Sequence, residues 1–140
     1  IRRWPDQEAW VRADLVRLEQ VLVNLIGNAL QAMADTPAPR LELSVEVWDD
    51  RVVLGVADNG PGIAEENLTR IFEPFFTTKS SGKGLGLGLS ISSRIVDDLG
   101  GRLSAANRPE GGALFTIRLP RDEGRRTVNA QPDQETLPHA

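Results

Sequence analysis

The chain has 140 residues, with 16 basic and 20 acidic side chains for a formal net charge of -4 and 40% hydrophobic residues, enough for one domain with an ordinary core and too little for two. It contains no cysteine and one histidine, the penultimate His139 in a polar stretch, so disulfide scaffolds, thiolate zinc sites, cysteine nucleophiles and histidine triads are excluded. Mild acidity argues against nucleic acid as a partner, which needs clustered positive charge, and no apolar run approaches the roughly 18 residues that cross a bilayer, so no membrane or export segment is expected. Residues 14 to 33, DLVRLEQVLVNLIGNALQAM, space Leu18, Val21, Leu22, Leu25, Ile26, Ala29 and Met33 along one helix face, with Asp14 as N-cap. Asp35 to Pro39 breaks that helix. Leu41, Leu43, Val45 and Val47 then alternate with polar residues, Asp49-Asp50 turns the chain, and RVVLGVA follows, which together predict an antiparallel hairpin ending at Asp58-Asn59-Gly60-Pro61-Gly62-Ile63.

Residues 65 to 72, EENLTRIF, predict a short helix, and EPFFTTKSSGKGLGLG a loop. A second amphipathic helix carries Leu85, Leu89, Val96 and Leu99, widened by Ile91 and Ile95, and closes at Gly100-Gly101. RLSAA and ALFTIRL predict two more strands around a turn from Asn107 to Gly112. The order helix, hairpin, helix, hairpin predicts an α+β two-layer sandwich, a mostly antiparallel sheet covered on one face by helices. From Arg121 the chain is polar and aperiodic, which predicts a disordered tail over residues 121 to 140 after a domain of residues 1 to 120.

Asn24 and Asn28 stand four apart on the first helix, so both project from the same side at the edge of the apolar stripe. Such a pair either bonds to a neighbouring loop or offers a neutral amide oxygen to a divalent cation that bridges phosphates. Asp58 ends a buried strand. Its carboxylate can serve a simple turn, or accept a hydrogen bond from the exocyclic amine of a base brought close by the glycines that follow. Gly84, Gly86 and Gly88 alternate with leucines before a helix, where they suit either a hinge or an anion at the positive end of the helix dipole. Fourteen of the basic residues are arginine, and the two lysines, Lys79 and Lys83, stand in this same stretch; a lysine is a point charge suited to phosphate oxygens, or a plain solvated loop residue.

The joint order of these segments resembles a known family. NLIGNALQAM is similar to the N box, DNGPGI to the first glycine box, FEPFFTTK to the F box and GLGLGLSIS to the second glycine box of the ATP-binding catalytic domain of sensor histidine kinases, over residues 10 to 120. FEPFFTTK followed by GKGLGLGLSIS is most similar to bacterial dicarboxylate-transport sensor kinases. The resemblance implies the Bergerat ATP-binding sandwich shared with gyrase, the ninety-kilodalton heat-shock chaperone and mismatch-repair ATPases. It further implies that Asn28 coordinates Mg2+, Asn24 supports the phosphate side, Asp58 accepts the adenine amino group, and Gly60, Gly62 and Ile63 shape the pocket. Lys79, with Gly84, Gly86 and Gly88, is expected to meet the phosphates of ATP or ADP, and Lys83 is an alternative contact for the γ-phosphate.

Departures from the wider family carry mechanism. Hydrolytic relatives place a glutamate base one turn before the magnesium asparagine; here that position is Asn24, which cannot act as a base, so water attack should be poor. Leu85 stands where many members have threonine, and Gln31 where some have lysine. The activity implied is phosphoryl transfer to a histidine of a dimerisation domain of the same kinase, with a response regulator downstream; the alternatives are an ATP-hydrolysing clamp fragment or a nucleotide-binding module without kinase activity. The histidine-bearing helices are not among these residues, so autophosphorylation is not expected. The implied setting is a cytoplasmic domain, without membrane contact of its own, of a kinase in the bacterial inner membrane. A lid over roughly residues 64 to 83 is expected to order on nucleotide binding.

Overall fold

The computed structural model describes residues 1–76 and 87–122. The tail beyond Asp122 and residues 77 to 83 of the expected lid lie outside the described residues. Within them the order is β1 (Arg2–Arg3), α1 (Leu15–Ala32), β2 (Leu41–Val47), β3 (Arg51–Asp58), α2 (Glu65–Leu68), α3 (Gly88–Asp98), β4 (Arg102–Asn107) and β5 (Ala113–Pro120). The strands form one sheet in the order β1-β2-β3-β5-β4, antiparallel except where β1 pairs parallel with β2. The expected two-layer α+β sandwich is thus observed.

Register decides which side chains meet the helices. Leu43 pairs with Val56 and Val45 with Leu54, Leu54 with Ile117 and Val56 with Phe115, and Leu103 with Ile117. Because successive side chains alternate in direction, these residues share one face, and the row continues through β3 to Asp58 and through β4 to Asn107. Val56, Leu103, Phe115, Ile117 and Leu119 of this face pack with Val21, Leu25 and Ala29 of α1 and Ile95 and Val96 of α3 in one core. Burial of each large aliphatic side chain of this kind stabilises by about 1.5–3 kcal/mol relative to exposure. The opposite face carries Ser44, Gly55, Thr116 and Ser104 in mutual register.

α1 begins as expected: the Asp14 carboxylate accepts hydrogen bonds from the Val16 and Arg17 amides at 3.0 and 3.3 Å, satisfying two of the orphan donors at a helix start. The α3 terminus closes through the Gly101 amide on the Val96 carbonyl at 3.0 Å. Two expectations need correction. The helix read over residues 65 to 72 ends at Leu68, and the chain continues in turns whose amides reach three residues back, Glu73 to the Arg70 carbonyl and Phe76 to the Glu73 carbonyl. Pro74 disfavours helical geometry at Glu73 and so keeps the turns that follow Leu68 from continuing as a helix beyond it. The pairing of β1 with β2 was not expected, because Arg2 and Arg3 show no hydrophobic alternation; its support is the ion pair of Arg3 with Glu42 at 3.1 Å.

Candidate functional site

Asp58 is the last residue of β3 and only 3% exposed. Its Oδ1 accepts from the Gly60 amide at 2.9 Å and from the Ala113 amide at 3.2 Å, so one carboxylate oxygen is pinned by two backbone donors and neither bond uses Oδ2. The Asp58 carbonyl accepts from the Arg108 guanidinium at 2.9 Å. Behind it runs Gly112, at φ +90°, where an added Cβ would lie 1.9 Å from that carbonyl oxygen. Only glycine tolerates both the left-handed backbone and this approach.

The loop after Asp58 is tied at both ends by asparagine side chains. Asn59 accepts from the Arg40 amide at 2.7 Å and donates to the Ala38 carbonyl at 3.1 Å, joining the loop to the α1–β2 connection. Asn107 accepts from the Ile63 amide at 2.8 Å and donates to the Ile63 carbonyl at 2.6 Å. Between them Gly62 holds φ +83°, with the site of its missing Cβ 2.9 Å from Asn107 Oδ1. Ile63 packs against the core.

Gly60 passes under the end of α1, where its missing Cβ would sit 3.1 Å from the Ala32 carbonyl oxygen. At 1.5 Å of rise per residue, Asn28 stands about 6 Å and Asn24 about 12 Å along the helix from that contact. Asn24 meets α3: its Nδ2 donates to Ser92 Oγ at 3.1 Å, and its Oδ1 would be 2.6 Å from a Cβ at Gly88. No side chain among the described residues caps the amide groups of the first turn of α3. One line therefore runs from Asp58 and its loop past Asn28 to Asn24 and the start of α3.

Of the residues singled out in the sequence, Asp58, Gly60, Gly62 and Ile63 come together in one loop, Asn24 meets Gly88, and Asn28 lies between. Lys79, Lys83, Gly84 and Gly86 lie outside the described residues. The contributions of Asn107, Arg108, Gly112 and Ser92 were missed. The Gly111-Gly112 pair before a strand hinted at a close approach; the partner of Asn107, 44 residues away, left no local signal. Among the described residues no three His, Asp or Glu side chains converge on a possible metal position, and no helix is long and apolar enough to cross a membrane.

Residues 13–123 match the family described as histidine kinase-, DNA gyrase B-, and HSP90-like ATPase. The chain belongs to that family. Within it, this ATPase domain is 45% identical over 137 residues, 97% of its length, to the C4-dicarboxylate transport sensor protein DctB of Pseudomonas aeruginosa, of which it spans 22%. The nucleotide-free catalytic domain of histidine kinase ThkA superposes with a TM-score of 0.75 at 36% identity, over 86% of this chain and 78% of the other. Full-length ShkA in complex with AMPPNP gives a TM-score of 0.71 at 36% identity, over 86% of this chain and 25% of that one. These likenesses place the domain with the catalytic domains of sensor histidine kinases, as the four boxes implied.

Proposed function

We propose that this domain binds Mg-ATP along the line from Asp58 to the start of α3 and hands the γ-phosphoryl group to a histidine of a separate dimerisation domain, from which a response regulator is then phosphorylated. The observation that carries the reading is the state of Asp58: a buried carboxylate with Oδ1 committed to two backbone amides and Oδ2 left out of both bonds. An acceptor held this way is suited to the exocyclic amine of adenine, which donates and does not accept. Gly60, Gly62 and Ile63 form the floor of the base site. Asn28 supplies a neutral oxygen, and the absence of a carboxylate cluster among the described residues suits a hard ion held largely by phosphate oxygens and water. When bound, Mg2+ supplies neutralisation of the triphosphate charge.

Asn24 holds the N-terminal turn of α3 near the phosphate end through Ser92, and the uncapped amides of that turn suit an anion. Its amide cannot take a proton from water, which favours retention of ATP until the acceptor imidazole docks. In the transfer the bond from the γ-phosphorus to the β–γ bridging oxygen breaks, a phosphorus–nitrogen bond forms, and ADP leaves. Lys79, Lys83, Gly84 and Gly86 belong to the same phosphate side in this reading. The parent protein is proposed to be an inner-membrane sensor kinase with this domain in the cytoplasm.

Calorimetric titration tests the reading directly. Asp58→Asn keeps the shape and the Oδ1 acceptor but sets an N–H donor against the adenine amine; ADP affinity should fall by roughly tenfold or more, about 1.4 kcal/mol, while IDP, with an oxo group at that position, gains relative to ADP. Asn28→Ala should abolish most of the enhancement of ATP affinity by Mg2+. Unchanged selectivity in the first variant, or wild-type magnesium dependence in the second, removes the corresponding assignment.

A further inference from the structure

Resting on the reading of Asp58 as the purine acceptor, we propose that Asn107 and Arg108, in the β4–β5 turn, are positioning residues that set the selectivity of this domain for an amino-purine over an oxo-purine. Neither side chain belongs to the hydrophobic core. Asn107 is exposed and terminates β4, yet both ends of its amide are bonded to the backbone of Ile63, at 2.8 and 2.6 Å, reproducing with a side chain the paired bonds of a strand ladder. Arg108 is 18% exposed at its side chain, shares its guanidinium between the Asp58 carbonyl and Glu110 at 2.9 Å each, and closes the turn with its own amide on the Gly112 carbonyl. The same turn delivers the Ala113 amide to Asp58 Oδ1 at 3.2 Å.

The turn therefore grips the purine loop at its first residue, Asp58, and its last, Ile63. Two consequences follow for the carboxylate. With the Asp58 carbonyl held by Arg108 and Oδ1 held by Ala113, the direction of Oδ2 is set before any ligand arrives, and hydrogen bonds weaken steeply as their angle departs from linear. A rigidly aimed acceptor rejects an oxo group, because two acceptors face each other and neither can turn away. Once the turn lets go, the carboxylate can rotate, Oδ2 swings out of line, and an oxo-purine is tolerated. Asn107 governs the far side of the same loop, where Gly62 and Ile63 meet the face of the base.

The test is titration of the 140-residue chain with ADP and with IDP, alongside thermal melts, for wild type, Asn107→Ala and Arg108→Ala. Loss of one or two hydrogen bonds of ordinary net strength lowers ADP affinity about five- to tenfold in each variant, IDP affinity changes less, and the ADP-to-IDP ratio falls at least about threefold. A merely structural role would lower the melting temperature and weaken both ligands by one common factor, and that result overturns the proposal, as does a wild-type ratio in both variants. If Asn107→Ala does not fold, Asn107→Asp, which keeps the size and the acceptor for the Ile63 amide but loses the donor to its carbonyl, is measured with Arg108→Ala in its place. A wild-type domain that binds ADP and IDP equally overturns the assignment of Asp58 itself; a wild type that prefers ADP, with variants that prefer it as strongly, overturns only the positioning role.

Discussion

At the Asp58 end of the site, hydrogen bonds from β5, the β4–β5 turn and the α1–β2 connection all converge on residues 58–63, whereas Asn24 is tied by its side-chain bond to Ser92 across α1 and α3, two helices that the Arg17–Asp98 ion pair also joins. The difference is one of donors. A base carries a few weak polar groups that must be met at a set angle, so the groups that read it gain from being held by backbone, which has little freedom left to lose. Phosphates carry full charge and accept from many directions, and helix amides and side-chain amides can meet them without comparable bracing. Binding energy at the first end should thus depend on preorganisation, and at the second on charge.

Substitutions at each end can break or sharpen this contrast. The largest effect is expected from Gly112→Val, which puts a branched side chain at φ +90° against the Asp58 carbonyl; stability in urea should fall on the order of 3 kcal/mol, with loss of ADP binding. A variant as stable as wild type would show that the turn does not press on Asp58. Asn24→Ala leaves Ser92 Oγ, in a residue 2% exposed, without its partner, and should cost about 1 kcal/mol in thermal or urea unfolding. Here the contrast makes a specific demand: ATP affinity drops, but the ADP-to-IDP ratio stays at the wild-type value. A changed ratio would mean that the two ends are coupled through α1.

The smallest effect lies at the sheet edge. The Arg3 guanidinium, hydrogen-bonded to Glu42, holds that carboxyl below its usual range. Since the folded-state pKa is the lower one, the contribution to stability is complete above the unfolded pKa and is lost as the pH falls through the folded value. Stability of wild type and Arg3→Ala, followed by urea titration from neutral to acid pH, should differ slightly at neutrality and converge in acid, with nucleotide selectivity unaffected throughout. A difference that persists undiminished in acid would exclude the ion pair as its source.

Much of this fold was legible in the chain. Asp14, the spacing from Leu18 to Met33 and the alternation from Leu41 to Val47 are local signals, since helix and strand periodicities act over a few residues. So was the family, since the motifs that hold Asp58 and Asn28 are specific enough in combination to identify it. α2 is shorter than the helical spacing of Ile71 and Phe72 suggested: after Leu68 the chain goes on in separate turns, such as the Arg70 amide on the Asn67 carbonyl. β1 was not foreseen at all: Arg2 and Arg3 become a strand only by bonding to an edge already formed by β2.

By itself the sequence determined α1, α3, the four long strands and the family, because each depends on residue order within a turn or a motif. Tertiary structure alone decided that Asn107 grips Ile63, that Arg108 and Gly112 back onto Asp58, and that Asn24 meets Ser92 and Gly88. Those contacts join segments tens of residues apart, and their geometry exists only once strand register and helix packing have brought backbone groups without local partners within hydrogen-bonding reach.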